Sequence, residues 1–157
     1  MRRRREVSLR GFLEGALIAP SSILEEIRRH GAETYPEECC GALFGVKVDG
    51  EVLVRRTERV VNRRTDQRER RFSIDPLDYG RLEKLAEESG LKLVGIYHSH
   101  PDHPAAPSEY DREHAFPFFH YLIVAVEAGL PRDVTCWVLS EDRGAFEREA
   151  LRVDGEE

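Results

Sequence analysis

Residues 91–101 read Leu-Lys-Leu-Val-Gly-Ile-Tyr-His-Ser-His-Pro. An apolar run of strand length, rich in branched and aromatic side chains, predicts a central strand covered on both faces. His98 and His100 stand two apart, so on a strand both imidazoles point the same way and can converge on one ion. The chain then passes through a turn studded with prolines at Pro101, Pro104 and Pro107. Ser108 follows Pro101 by seven residues, and Asp111 lies three further on. Pro107-Ser108-Glu109-Tyr110-Asp111 reads as a helix start, with Ser108 as N-cap and Asp111 in the first turn. Such a helix returns a carboxylate toward the strand end. Two imidazoles and one carboxylate with a fourth position open is the catalytic rather than the structural zinc arrangement.

Outward from this stretch, helices and strands interleave. Residues 20–31 carry Pro20-Ser21-Ser22 and then Ile23, Leu24 and Ile27, the cap and spacing of an amphipathic helix ending near Gly31. Residues 42–48 and 51–54 flank Asp49-Gly50, which predicts a two-residue hairpin. Residues 63–71 hold no apolar side chain and predict an exposed basic loop. Asp75-Pro76 opens a helix carrying Leu77, Leu82 and Leu85 and closing at Gly90. Residues 119–126 and 134–139 supply two more strands, while residues 145–153 fit either a final helix or an edge strand. The fold class is α/β or α+β around a mixed sheet flanked by helices.

The 157 residues suit one domain over 1–157, with 1–19 and 154–157 expected to fray. A 40% hydrophobic share and a mean hydropathy of −0.52 argue for a soluble globular protein and against a membrane span. A net charge of −6 argues against general nucleic-acid binding. Three cysteines, with Cys39 and Cys40 adjacent, give no even disulfide framework and suit a reducing cytoplasm. Met1 to Arg5 resembles the charged end of a leader, but Arg10 and Glu14 interrupt the apolar stretch that should follow, so no signal peptide is expected.

Each half of the His and Asp pattern has an ordinary explanation alone: a surface pair, or a plain helix cap. Together they form a combination that packing does not explain. His103 is expected at a rim, His30, His114 and His120 as solvated or core histidines, and Cys39 and Cys40 as packing residues. Trp137 and the aromatics of residues 116–121 are expected in the core. An iron oxygenase would carry an acid where Ser99 stands, and the Pro-Cys-x-x-Cys of zinc deaminases and the His-Glu-x-x-His of helical zinc proteases are both missing.

On this spacing the sequence resembles the JAMM, or MPN-plus, zinc metallopeptidases, whose signature is a distant Glu followed by His-x-His-Pro-x6-Ser-x-x-Asp. His98, His100, Pro101, Ser108 and Asp111 match it without a gap. Residues 35–45 resemble the family's catalytic-Glu segment, where the acid precedes a glycine by three, which selects Glu38 over Glu37. The likeness runs over residues 20–150, includes Phe72-Ser73-Ile74-Asp75-Pro76, and is nearest the short free-standing prokaryotic members. Phe116-Pro117-Phe118-Phe119 departs from it by being bulkier. The resemblance implies an MPN-like mixed sheet with cytidine-deaminase-like architecture. It also implies one zinc ion on His98, His100 and Asp111, Glu38 as general base, and Ser108 as donor to the developing oxyanion. The implied substrate is an amide after the C-terminal Gly-Gly of a ubiquitin-like or sulfur-carrier protein. Residues 63–71, if they flank the cleft, would dock an acidic carrier surface. The competing readings are a non-catalytic MPN scaffold, a general zinc peptidase, and a basic-loop nucleic-acid binder.

Overall fold

Strand β4 (Lys92–Pro101) is buried without interruption from Val94 to Pro101, as its apolar run requires. It pairs antiparallel with β2 (Cys40–Val48) and parallel with β5 (His120–Glu127). Helix α1 (Ser21–Thr34) packs against one side of these strands, through Leu24 and Ile27 on Leu43, Tyr97 and Val124. Helix α2 (Pro76–Glu88) packs on the other, through Leu82 and Ala86 on Ala42 and Phe44. The computed structural model describes residues 16–154. The basic start, Arg10, Glu14 and residues 155–157 lie outside the described residues.

The mixed sheet closes on itself. Its order is β1 (Ala16–Pro20), β3 (Glu51–Val60), β2, β4, β5, β6 (Leu130–Leu139) and β7 (Phe146–Asp154), with β1 pairing parallel to both β3 and β7. Two expectations change here. Residues 16–19 and Asp154 are not frayed, because Leu17 and Ala19 are fully buried and Pro20 pairs with Asp154. The segment at residues 145–153, left open between helix and edge strand, is β7, paired on both sides.

The hairpin forms as expected: Asp49 and Gly50 both take positive φ, at 50° and 80°, the requirement of a type I′ turn. Asp75 caps α2 by accepting from the Leu77 amide at 2.9 Å, with Pro76 in the first turn. Helix α1 differs at both ends. Pro20 occupies its N-cap position without a side-chain bond, so Ser21 and Ser22 do not cap it, and the helix continues past Gly31 to Thr34. Gly31 is there for close approach, since a Cβ would stand 3.0 Å from Val126 Cγ2 on β5. Among the described residues, no helix is long and apolar enough to cross a membrane. Cys39, Cys40 and Cys136 are free and buried, and burial pushes the Cys39 thiol up to about 12, consistent with packing.

Candidate metal and catalytic site

Both histidines point from the carboxyl-terminal end of β4 toward helix α3 (Glu109–His114), which brings Asp111 back to them. His98 Nε2 and His100 Nε2 are 3.1 Å apart, and Asp111 Oδ2 lies 3.2 and 3.1 Å from them respectively. All three side chains are buried. His100 Nδ1 donates to the Pro104 carbonyl at 2.7 Å, which leaves its Nε2 lone pair for a ligand. His98 Nδ1 has no hydrogen-bond partner among the described residues, and its ring is held by Phe72, stacked at 4.5 Å.

Ser108 caps α3 with a reciprocal pair: its Oγ accepts from the Asp111 amide at 3.0 Å, and its own amide donates to Asp111 Oδ2 at 2.9 Å. The same carboxylate oxygen therefore faces the imidazoles and the cap. Burial opposes ionisation of Asp111, but the two histidines, by charge and hydrogen bonding, hold it well below the usual carboxylate range. Two imidazole nitrogens and one carboxylate oxygen, convergent and buried, suit a divalent zinc ion.

Glu38 enters from the segment just before β2, after a cis Tyr35–Pro36 bond. Its side chain is 1% exposed, and neither carboxylate oxygen has a hydrogen-bond partner among the described residues, His103 Nε2 lying 4.0 Å from Oε2. Its carboxylate lies within 4.8 Å of ring nitrogens of His100 and His103. Burial pushes Glu38 up to about 8; His100 pulls the other way and Asp111 adds to the rise. Glu37 is different, with a side chain 44% exposed and turned toward Arg68. His103 sits half-buried at the rim, stacked on His100 at 4.0 Å.

Two positioning residues escaped the sequence reading. Ser99, between the histidines, accepts through Oγ from the Cys39 amide at 2.8 Å and so ties Glu38's neighbour to β4. Asn62 donates to the Glu38 and Arg71 carbonyls and accepts from the Arg64 and Ser73 amides. An asparagine beside a charge run offers no periodicity by which to find it.

Asn62 organises the basic segment, which does flank the cleft. Arg64 donates to the Tyr110 hydroxyl at 2.8 Å, and Arg71 lies 4.4 Å over the Tyr110 ring. Arg63 pairs with buried Asp78 at 3.0 Å, and Arg68 donates to the Arg64 carbonyl while its own carbonyl accepts from the Glu38 amide. Much of the positive charge thus shapes the loop itself.

Beside His98 and Asp111 opens a cavity of about 430 Å³, walled mainly by aromatic and aliphatic side chains. Here the core expectation for residues 116–121 needs correction: Phe119 and Tyr121 are buried, but Phe116 and Phe118 are 37% and 65% exposed at the cavity wall. Trp137 is half-buried and donates to Thr135 Oγ1 at 2.8 Å. His114 is exposed, and His30 is buried against the Tyr97 hydroxyl. His120 has more company than its sequence position suggested: Glu149 Oε1 lies 2.7 Å from its Nδ1 and accepts from Cys136 Sγ at 3.1 Å.

The family model for prokaryotic homologs of the JAB domain matches residues 20–140, which include Glu38, His98, His100, Ser108 and Asp111. The chain belongs to this family. This prokaryotic JAB-domain protein is 33% identical over 106 residues to a desampylase of Haloferax volcanii, covering 67% of this chain and 74% of that one. It is 35% identical over 107 residues to a probable TtuB-protein conjugate cleaving protease of Thermus thermophilus, covering 67% of each. A solution structure from Salinibacter ruber superposes with a TM-score of 0.68 at 48% identity, over 88% of this chain and 92% of that one. A JAB1/MPN domain protein from Archaeoglobus fulgidus, 19% identical with a TM-score of 0.53 over 86% and 97% of the two chains, shares the fold. The JAB-domain match and these structures agree with the JAMM and MPN resemblance of the signature and with a mixed sheet flanked by helices.

Proposed function

We propose that this JAB-domain protein is a zinc-dependent isopeptidase that hydrolyses the amide after the C-terminal Gly-Gly of a ubiquitin-like or sulfur-carrier protein. The observation that carries this reading is Glu38, a buried carboxylate without a hydrogen-bond partner among the described residues, set beside a convergent trio of metal-type donors. His98, His100 and Asp111 would hold one zinc ion per chain. Zinc in such a setting acidifies water to a pKa of about 7 and polarises a carbonyl.

Glu38 takes the proton from the attacking water and delivers it to the departing amine. Water oxygen joins the carbonyl carbon, the carbon–nitrogen bond breaks, and a tail carboxylate and a free amine result. Ser108 can serve helix and substrate together: its lone pair accepts from the Asp111 amide, leaving its hydroxyl proton for the developing oxyanion. The proteins named desampylase and conjugate cleaving protease among its relatives support protein conjugates as the substrate class. Buried free thiols support a reducing, cytoplasmic setting, and one domain over 1–157 remains our reading.

A non-catalytic scaffold would need neither Glu38 nor the trio. The deciding test is hydrolysis of a Gly-Gly carrier conjugate by purified protein of known zinc content. We expect one zinc per chain, activity lost on chelation, and both zinc and activity lost in His98→Ala and Asp111→Ala. Hydrolysis that persists in metal-free protein would overturn the proposal.

A further inference from the structure

We propose that His120, Cys136 and Glu149 form a second metal site, separate from the trio of His98, His100 and Asp111, that takes a borderline-soft divalent ion of the zinc and cobalt class. The three residues come from neighbouring strands of the sheet, β5, β6 and β7. Cys136 stands directly opposite Glu149 in the pairing of β6 with β7, and His120 pairs with Val138, two residues along β6 from Cys136. Strand alternation therefore puts all three side chains on one face. It is the other face from the first trio. His120 pairs with Gly95 on β4, so it shares the side of Tyr97 and Ser99, while His98 and His100 alternate to the opposite side.

Glu149 is what sets this cluster apart from ordinary packing. Of the nine residues of β7 it alone is buried, the place that an alternating strand reserves for an apolar side chain. A carboxylate there, with its side chain 3% exposed, costs free energy unless a cation or hydrogen bonds answer it. Among the described residues no Arg or Lys pairs with it. Its Oε1 instead holds His120 Nδ1 at 2.7 Å and Cys136 Sγ at 3.1 Å.

The imidazole nitrogen, the sulfur and the carboxylate oxygen all lie within 4.8 Å of one another. Tetrahedral zinc binds such ligands at about 2.0–2.3 Å and so spaces the donor atoms about 3.3–3.6 Å apart, which asks the two hydrogen bonds to open by only about half an ångström. Sulfur among the donors turns away magnesium and calcium, and the mixed set of nitrogen, sulfur and oxygen suits zinc or cobalt. His120, with 13% of its side chain exposed, is the least buried of the three and leaves the ion a way in. Binding exchanges protons for the ion: the Cys136 thiol proton, shared with Glu149 in this structure, leaves to solvent, and His120 binds through Nδ1 with its proton on Nε2. The first trio has no thiol proton to displace, so it fills first and this site takes the next equivalent. An ion held here ties β7 to β5 and β6.

Cobalt(II) reports the site, because a cobalt–thiolate bond adds a near-ultraviolet charge-transfer band that nitrogen and oxygen ligands do not give. Titrated into metal-free protein, the first equivalent should bind without that band and the second should bring it in. In His98→Ala the band should come with the first equivalent. In Cys136→Ala it should be missing at every ratio. Glu149→Gln, which keeps the size and one oxygen acceptor, should bind the band-forming ion at least about 10-fold more weakly. Melting curves of the metal-free variants verify the fold, and the second equivalent should raise the melting transition of the wild type but not of Cys136→Ala. Three results would each overturn the assignment: no thiolate band in the wild type, a band that survives Cys136→Ala and so belongs to Cys39 or Cys40, or unchanged affinity in Glu149→Gln.

Discussion

Glu37 and Glu38 are neighbours in opposite environments, one turned to solvent beside Arg68 and the other sealed next to His100. A general base needs the second setting, so Glu38→Gln should keep its zinc and lower kcat by about 10²–10⁴, while Glu37→Gln changes it less than about threefold. Zinc analysis with steady-state kinetics checks both, and the reverse result would move the base by one position. Ser108 allows a similar separation. Glycine at an N-cap costs only a few tenths of a kcal/mol, so Ser108→Gly should melt near wild type and yet lose about 10²–10³ in kcat if the hydroxyl serves the oxyanion. A loss of stability without a kinetic loss would leave Ser108 as a cap alone. The metal-type donors were legible because strand alternation and a capping box act over short spacings. Glu38 came from family likeness. His120, Cys136 and Glu149 meet from three strands, a coincidence that no local spacing encodes.

Helix α1 meets β4 through His30, whose Nδ1 lies 2.7 Å from the Tyr97 hydroxyl. Burial lowers His30 to about 4, with Arg59 adding to the effect and Glu26 and Glu33 opposing it. The unfolded chain binds a proton at this residue below about pH 6.5, whereas the folded chain resists until about pH 4. Stability should therefore fall as pH drops through that window and level off below it. After discounting for the solvent-screened neighbours, the loss attributable to His30 is about 2 kcal/mol between pH 7 and 4.5. Urea unfolding at both pH values should show a drop smaller by that amount in His30→Gln, and an unchanged drop would reject this assignment. Sequence reading found α1 but stopped it at Gly31, because a glycine signals either a helix end or a close contact and only the neighbour, Val126, decides which.

Across the whole molecule, interleaved helices and strands announced a mixed sheet, but not its closure. That depends on Ala16–Pro20, a segment of five residues too short to carry a clear period. Leu17 is fully buried there, so Leu17→Ala should cost about 2–5 kcal/mol in denaturant titration; a cost near zero would mean that the closing strand is dispensable. The order β1-β3-β2-β4-β5-β6-β7 puts β4 three strands from the β1/β7 seam in either direction. The shortest strand, joined to β3 by three residue pairs and to β7 by five, is where the sheet opens at least cost, and the histidine-bearing strand pairs with neither edge of it. Deuterium should thus enter the amides of β1 well before those of β4, and molecules breathing at β1 would still hold the His98–His100 strand between both of its neighbours.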